Sequence, residues 1–448
     1  MITAAIRRSA APAVTALLLS GVAGSALAGA FALREQSTVG QGMSFAGAAA
    51  GGGDSISGMF WNPALVNQVE TFQSEQHVTG VLPSSKIKAD ASTRAGINAI
   101  TGGQGATGDS GEIGQGALLA SGYNAYRIND RVAVGLSVTS PFGLVTDPRK
   151  DWAGQFVARS SKVLTVNATP TVGYIVNDWI SVAAGLQVQY FDISLKRATP
   201  LPAPFTPGSF LPGAGTTRLS GDDIGFGFVA GVNLKPWDGA DLGVGYRSAT
   251  SYTLKGKLRS NTPLGSSVQG IKAKVDLPDS VTVGFRQRVT ETFTALVGFE
   301  WTNWEQFDSF AVKNRSTGAK VTDLPFHYKD GYFLSVGGEY KVTEELTARA
   351  GVAYEWSPIN NKNRTVRLPD DDRWWLSAGA SYGVTDRIGM DLGYSYVFVP
   401  GKSRIREEFA PGLPFDFRGT SKSDVHIVSA AIRYKIGAEA PPALVTKY

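Results

Sequence analysis

Val163-Leu164-Thr165-Val166-Asn167-Ala168-Thr169-Pro170-Thr171-Val172-Gly173-Tyr174-Ile175-Val176 is the stretch on which the fold turns. Leu164, Val166, Ala168, Pro170, Val172, Tyr174 and Val176 fall on one side, and Thr165, Asn167, Thr169, Thr171 and Gly173 on the other. A period of two sends successive side chains to opposite faces of a sheet, so this is a strand with one apolar and one polar face. The pattern returns at Ile180–Tyr190, Ile224–Leu234, Trp374–Val384, Ile388–Phe398 and Val428–Ile436. Fourteen such segments can be counted between about residue 71 and residue 436. Short turns rich in Asn, Asp, Thr and Glu join them at Asn129-Asp130, Asn177-Asp178, Trp237-Asp238-Gly239, Thr290-Glu291, Thr343-Glu344 and Thr385-Asp386. Seven longer Gly/Pro-rich loops alternate with the turns, near 84–114, 141–161, 198–220, 257–277, 312–328, 357–372 and 399–422. An even strand count, with both barrel ends on the short-turn side, predicts an all-β, 14-stranded antiparallel transmembrane β-barrel.

Composition supports this reading over a soluble sandwich or propeller. The 448 residues include 53 Gly and 46 aromatics, yet 18% are charged and mean hydropathy is −0.06. The polar faces carry Gly, Ser, Thr, Asn and Gln with isolated charges such as Arg286, Arg288, Arg349 and Asp391, which suits a lumen better than a Lys/Glu-studded exterior. Repeats of blade length are missing. The absence of cysteine excludes a disulfide scaffold, zinc fingers, iron–sulfur ligation and a cysteine nucleophile. Lys+Arg 43 against Asp+Glu 38, spread along the chain, gives no nucleic-acid arm.

Arg7 and Arg8, the apolar run from Ala10 to Gly24 and Ala26-Leu27-Ala28 predict a signal peptide over 1–28, cut after Ala28. Its removal leaves 41 basic against 38 acidic residues. Residues 29–70 do not alternate; they are rich in Gly and Ala and include Trp61-Asn62-Pro63-Ala64. A stretch this apolar before the first strand must be buried, and the lumen is the available place, so we expect an N-terminal hatch. The barrel is expected over 71–436 and a tail over 437–448. Gly379-Ala380-Ser381-Tyr382-Gly383 matches a serine-nucleophile pattern, but the alternation runs straight through it with no helix after. His77, His327 and His426 lack an obvious partner cluster. We therefore expect no enzyme activity, no catalytic residue, no metal and no cofactor. Two features point to an apolar ligand. The proline-stiffened loop 201–212 presents Phe205, Phe210 and Leu211, and Pro141-Phe142-Gly143 interrupts the third strand where proline cannot donate to a ladder.

The chain resembles the FadL-type outer-membrane transporters of long-chain fatty acids, a family with a branch that takes up toluene and related hydrocarbons. The resemblance is carried by Asn62-Pro63-Ala64, Pro141-Phe142-Gly143-Leu144, Gly225-Phe226-Gly227-Phe228, Leu277-Pro278, Tyr328-Lys329-Asp330, Ser357-Pro358 and the stretch from Leu368 to Gly379. It implies passive uptake by binding in the lumen, a shift of the hatch, and lateral release through a gap at strand three. By the same resemblance Phe31 reaches the ligand pocket, Pro141-Phe142-Gly143 forms the gate and Arg197 meets the carboxylate. The expected second basic residue has no clear counterpart near Leu324-Pro325, with Lys320 or His327 as substitutes. That departure keeps neutral hydrocarbons open as an alternative ligand class, and a structural or adhesive barrel is the third reading. Expected partners are a hydrophobic small molecule, outer-membrane lipid and lipopolysaccharide, and the barrel-assembly machinery, with no nucleic acid and a monomeric state. The expected place is the outer membrane of a Gram-negative bacterium, short turns and both termini periplasmic. Tyr434 or Tyr448 then serves as assembly signal.

Overall fold

The computed structural model describes residues 29–103, 106–199, 201–202, 210–211, 215–408 and 415–437, with backbone alone at 201–202 and 210–211. The expected signal peptide, nearly all of the tail, and Phe205 lie outside the described residues, as do the side chains of Phe210 and Leu211. Fourteen antiparallel strands close into a barrel. They are β1 Phe72–Ala89, β2 Ala117–Arg127, β3 in two pieces Val132–Thr139 and Gly143–Thr146, β4 Ser160–Asn177, β5 Ile180–Ala198 and β6 Thr216–Leu234. Then follow β7 (Ala240–Arg247 and Thr250–Thr262), β8 (Gly265–Leu277 and Ser280–Arg288), β9 Phe293–Thr302, β10 Gly331–Lys341, β11 Leu346–Trp356, β12 Arg373–Gly383, β13 Ile388–Phe398 and β14 Asp416–Ile436. Closure is by β1 on β14, in register from Phe72↔Ile436 to Ala89↔Gly419.

The two faces are inverted relative to a soluble protein. Thr165, Asn167, Thr169 and Thr171 of β4 are 0–3% exposed, whereas Val172 is 58%, Phe226 64% and Leu392 63% exposed on the outside. In water such an exterior would cost about 25 cal/mol per Å² of apolar surface; against lipid tails it costs nothing. Tyr126, Trp179, Trp237, Tyr340, Tyr382 and Tyr434 stand outward near the short turns, and Tyr332, Trp356 and Trp374 near the other end. These are the two girdles. Among the described residues no helix is long and apolar enough to cross a membrane.

The short turns fold by local side-chain chemistry. Asn129 Oδ1 accepts the N–H groups of Arg131 and Val132, and Asn177 Oδ1 those of Trp179 and Ile180. Thr290, Thr343 and Thr385 do the same with their hydroxyls. At the opposite end the expected loops are in part strand. Residues 257–277 continue β7 and β8 as a hairpin above the girdle, and Ser309–Asn314 pairs with Lys320–Pro325. Helix α1 is Thr38–Gly42, inside the barrel, and α2 is Ala91–Thr101, in the loop after β1.

Residues 29–70 fill the lumen, and the wall is cut to fit them. A Cβ on Gly245 would lie 1.8 Å from the Trp61 carbonyl oxygen, and one on Gly243 1.8 Å from that of Ala49. Bare wall backbone thus receives hatch backbone directly. Asn62 shows why Asn-Pro-Ala stands here. Its Oδ1 accepts Ala64 N–H (3.0 Å) at the start of the turn Pro63–Gln68, while its Nδ2 donates to Ala49 O (2.7 Å) and to Val232 O of the wall (2.9 Å). Proline at the first position of that turn lacks an N–H that would otherwise go unpaired. Ala64 has no exposed surface.

Candidate functional site

Just inside the break in β3 lies a chamber of packed aromatic rings. Phe31, near the start of the hatch, sits 5.8 Å from Phe142, 5.0 Å from Trp304 and 5.1 Å from Phe307, centroid to centroid. Phe310, Phe326 and Tyr328 continue the cluster from the Ser309–Asn314 and Lys320–Pro325 hairpin and its exit. Such pairs contribute about 0.5–1.5 kcal/mol each beyond area burial, so the Phe31 ring is firmly seated. Trp61 belongs to the same buried cluster, its ring tilted against that of Phe45 at 5.4 Å.

The backbone of the same segment repairs the broken wall. Leu33 N–H donates to Pro141 O (2.7 Å), and Gly143 N–H donates to Phe31 O (2.9 Å). Ala32 and Phe142 form an antiparallel bridge. The repair is needed because β2 pairs with β3 no further than Gly122↔Val138, although β2 itself starts at Ala117. Gln36 closes the lower margin: its Nε2 donates to Ser140 O (2.8 Å), and its backbone oxygen accepts the hydroxyls of Ser121 and Tyr123. Gly143 gives room for Leu33, whose Cδ1 is 2.8 Å from where a Cβ would be. A cavity of about 40 Å³ remains beside the break, lined in part by Leu33, Arg34, Trp61, Pro141 and Phe142.

Charges buried beneath the chamber hold the hatch start in place. Gly29 N–H donates to Glu355 Oε1 (2.9 Å), and Ala30 N–H to Asp370 Oδ2 (3.0 Å). Arg34 bridges Glu300 (2.6 Å) and Glu355 (3.3 Å), and Arg373 pairs with Asp370 and Glu355. Ion pairs this buried do little for net stability but punish the loss of one partner, so they fix position. Sequence reasoning missed Glu300, Glu355, Asp370 and Arg373 as a set. The available signal was charge on the polar face of β9, β11 and β12 for Glu300, Glu355 and Arg373, with Asp370 in the loop just before β12.

Toward the long loops a second apolar cluster joins Ile87, Ile97, Trp152, Phe156, Ala198, Val366 and Phe417. Arg197 stands at its edge at the top of β5, on the face that Gln187 and Gln189 share, and is half-buried. Six residues of strand separate it from buried Phe191, roughly 20 Å. Arg367 lies beside it, donating to Ser160 O (3.1 Å), Ser161 Oγ (3.1 Å) and Lys196 O (3.2 Å). Burial pushes its guanidinium down to about 10, Glu407 opposes this, and the charge of Arg197 adds to it. Neither residue expected as the second cation joins Arg197. His327 is exposed and paired with Asp308, and Lys320 is exposed and paired with Asp323. A chain turn that brings residue 367 back over β5 is not encoded in local pattern, and so Arg367 escaped notice.

Below the hatch, a polar cavity of about 650 Å³ opens at the short-turn end, lined among others by Asp54, Glu70, Gln73, Arg127, Asp241, Arg286 and Lys435. A lumen network runs from Arg286 through Glu339 and Arg349 to Ser381, Asp391 and Arg433. Ser381 belongs to that network on a continuous strand, not to a nucleophile turn. Arg288 shares the inward register but sits at the rim, paired with Asp238 (3.0 Å). Glu75 and His77, another pair the sequence did not single out, meet Ser55 and Thr38 of the hatch.

Residues 19–436 match the family model described as outer membrane protein transport protein (OMPP1/FadL/TodX). The chain belongs to this FadL/TodX family. A relative from Salmonella typhi, the long-chain fatty acid transport protein, is 26% identical over 385 residues, covering 81% of this chain and 85% of the relative. The crystal structure of a Pseudomonas aeruginosa FadL homologue superposes with a TM-score of 0.81 at 25% identity, covering 91% of this chain and 99% of that one. The toluene transporter TodX of Pseudomonas putida shares the fold, with a TM-score of 0.66 at 16% identity, covering 92% and 99%. FadL-family membership makes this an outer-membrane transport barrel; the family is a group of channels rather than enzymes.

Proposed function

We propose that the protein takes up hydrophobic molecules passively across the outer membrane, long-chain fatty acids first among them, and releases them sideways through the break in β3. The observation that carries this reading is that one short segment does two jobs. Phe31 fills the aromatic chamber with its ring, while the backbone of Phe31–Leu33 seals the wall at Pro141–Gly143. An apolar ligand that enters the chamber displaces Phe31 and loosens the seal beside it. The exit then faces lipid, where an apolar solute is at home, whereas the way down leads through a packed hatch into a polar cavity. If the signal peptide is cut after Ala28, the new α-ammonium of Gly29 faces Glu355 and tethers the segment near the gate.

Arg197 and Arg367 supply two adjacent cations where an acid headgroup would rest while its tail reaches toward Phe191. The aromatic rings packed around Phe31 favour a second reading, uptake of neutral monoaromatic hydrocarbons. Radiolabelled oleate and toluene uptake, measured in a deletion strain carrying either the wild-type chain or Arg197→Ala/Arg367→Ala, separates the two. Fatty-acid transport predicts loss of oleate uptake in the variant and retention of toluene uptake. Oleate uptake indifferent to both the deletion and the variant would remove the fatty-acid reading.

A further inference from the structure

On the outside of β4–β8, directly above the apolar belt, the strand register lines up cations in rows. Lys255 of β7 stands opposite Lys272 of β8, which stands opposite Lys313 of the Ser309–Asn314 strand. Higher up, Lys196 of β5 faces Arg218 of β6, which faces Arg259 of β7. Between the rows, Lys162 and Lys257 flank Ser194 and Ser220 in one line across four strands. All of these cations point outward in the alternation, and all but the half-buried Lys196 are exposed. Arg218 is steadied by donating from Nε to Ser194 Oγ (2.9 Å).

Like charges placed directly opposite on neighbouring strands repel. Here six of them do so in two rows, and none of the eight cations is in an ion pair among the described residues. The carboxylates nearest the lower row are Asp192 and Asp222 at one end, Asp222 standing opposite Lys255, and at the other end Asp323, which pairs with Lys320 opposite Lys313. Immediately below on the same strands come Tyr190, Ile224, Phe226 and Phe228, 38–64% exposed. Adjacent strands lie about 4.8 Å apart, so three cations in a row span roughly 10 Å, the scale of a phosphorylated sugar headgroup. An occupant that satisfies both levels carries phosphates at the cation height and acyl chains beside the aromatic belt.

We infer that this face is a binding site for the phosphates of lipopolysaccharide, packed against the barrel with its acyl chains on Ile224, Phe226 and Phe228. The inference rests on the proposed orientation, with the long loops and the β7–β8 hairpin outside the cell. It goes beyond transport, because it gives the barrel a fixed lipid neighbour on one side. The test uses the signal-peptide-processed protein, freed of lipopolysaccharide in detergent, titrated with phosphorylated and with dephosphorylated lipopolysaccharide. Binding is read as thermal stabilisation and by native mass spectrometry. Lys255→Ala/Lys272→Ala/Lys313→Ala should weaken binding of the phosphorylated form at least about fivefold, with Lys341→Ala at the short-turn end unchanged. Dephosphorylated lipid should bind the wild type as weakly as phosphorylated lipid binds the triple variant, and inorganic pyrophosphate should give no stabilisation. Equal binding by wild type and triple variant overturns the site, as does equal binding of the two lipids. Pyrophosphate binding as tight as the lipid's overturns a lipid source. Orientation is read separately by labelling Leu264→Cys on intact cells, in a chain that otherwise has no cysteine. Leu264 is 87% exposed at the hairpin tip, so labelling is expected there. An unlabelled variant overturns the orientation, and lipopolysaccharide as occupant with it.

Discussion

In the proposed mechanism, Phe31 is the residue at which ligand binding and gating meet. Its ring touches Phe142, Trp304 and Phe307, and its carbonyl accepts the Gly143 N–H across the gap. A ligand bound in the chamber therefore competes with a side chain already there. Phe31→Ala removes the competitor, and fluorescent fatty-acid titration of the purified variant should give binding at least about fivefold tighter. Unchanged or weaker binding would show that the ring helps hold the ligand rather than exclude it. Phe31 could be singled out by its place near the mature start, in a resemblance to known chains, and the structure places it in the aromatic cluster. Its partners were not, because Trp304 and Phe307 are more than 270 positions away and carry no local mark. Arg367 is similar: a loop residue becomes a neighbour of Arg197 only through the closure of the barrel.

Elements carry the account further. The third strand breaks where Pro141 withholds an N–H, and that break could be read directly, since the rule is local. The extension of β7 and β8 above the girdle could not. Past the apolar belt the outward positions are taken by Lys255, Lys257, Lys272 and Lys274, so the apolar half of the alternation disappears and a strand reads as a loop. Wall glycines are the counterpart inside. A longer side chain at Gly245 would enter the space held by the Trp61 carbonyl. Gly245→Leu should expel the hatch and leave a polar pore, seen as ion conductance in planar bilayers where the wild type is closed. Conductance as low as wild type would contradict the tight wall–hatch fit. Above the membrane, the loop strand Ser403–Glu408 ends beside Arg367. Burial pushes the Glu407 carboxyl up to about 7, countered in part by the Val366 N–H and Arg367. A carboxyl raised in the folded protein stabilises it below the ordinary carboxylate range, and that stability is lost as pH rises through about 7. Hydrogen exchange at Val366, corrected for the intrinsic rate, should therefore be more protected at pH 5.5 than at pH 8. Glu407→Gln should flatten the difference; an unaltered pH dependence in that variant would assign it elsewhere.

At the scale of the molecule, the neutral mean hydropathy is the sum of an exposed apolar exterior and a buried polar interior. Fold class was legible because period-two alternation with alternating short and long connections has few solutions besides a barrel. The hatch was legible because an apolar, non-alternating segment has nowhere else to go. What ties these parts into a transporter is the claim that the hatch start is a removable seal over the gap in β3. Ala32 and Phe142 are bridge partners there, close enough for a disulfide to join them without moving the backbone. In a chain with no other cysteine, Ala32→Cys/Phe142→Cys can be locked by oxidation and freed by reduction. The decisive measurement is uptake of radiolabelled oleate by cells carrying this variant, before and after treatment with a reductant. Uptake abolished when oxidised and restored when reduced is the predicted result; equal uptake in both states would contradict lateral release through this gap.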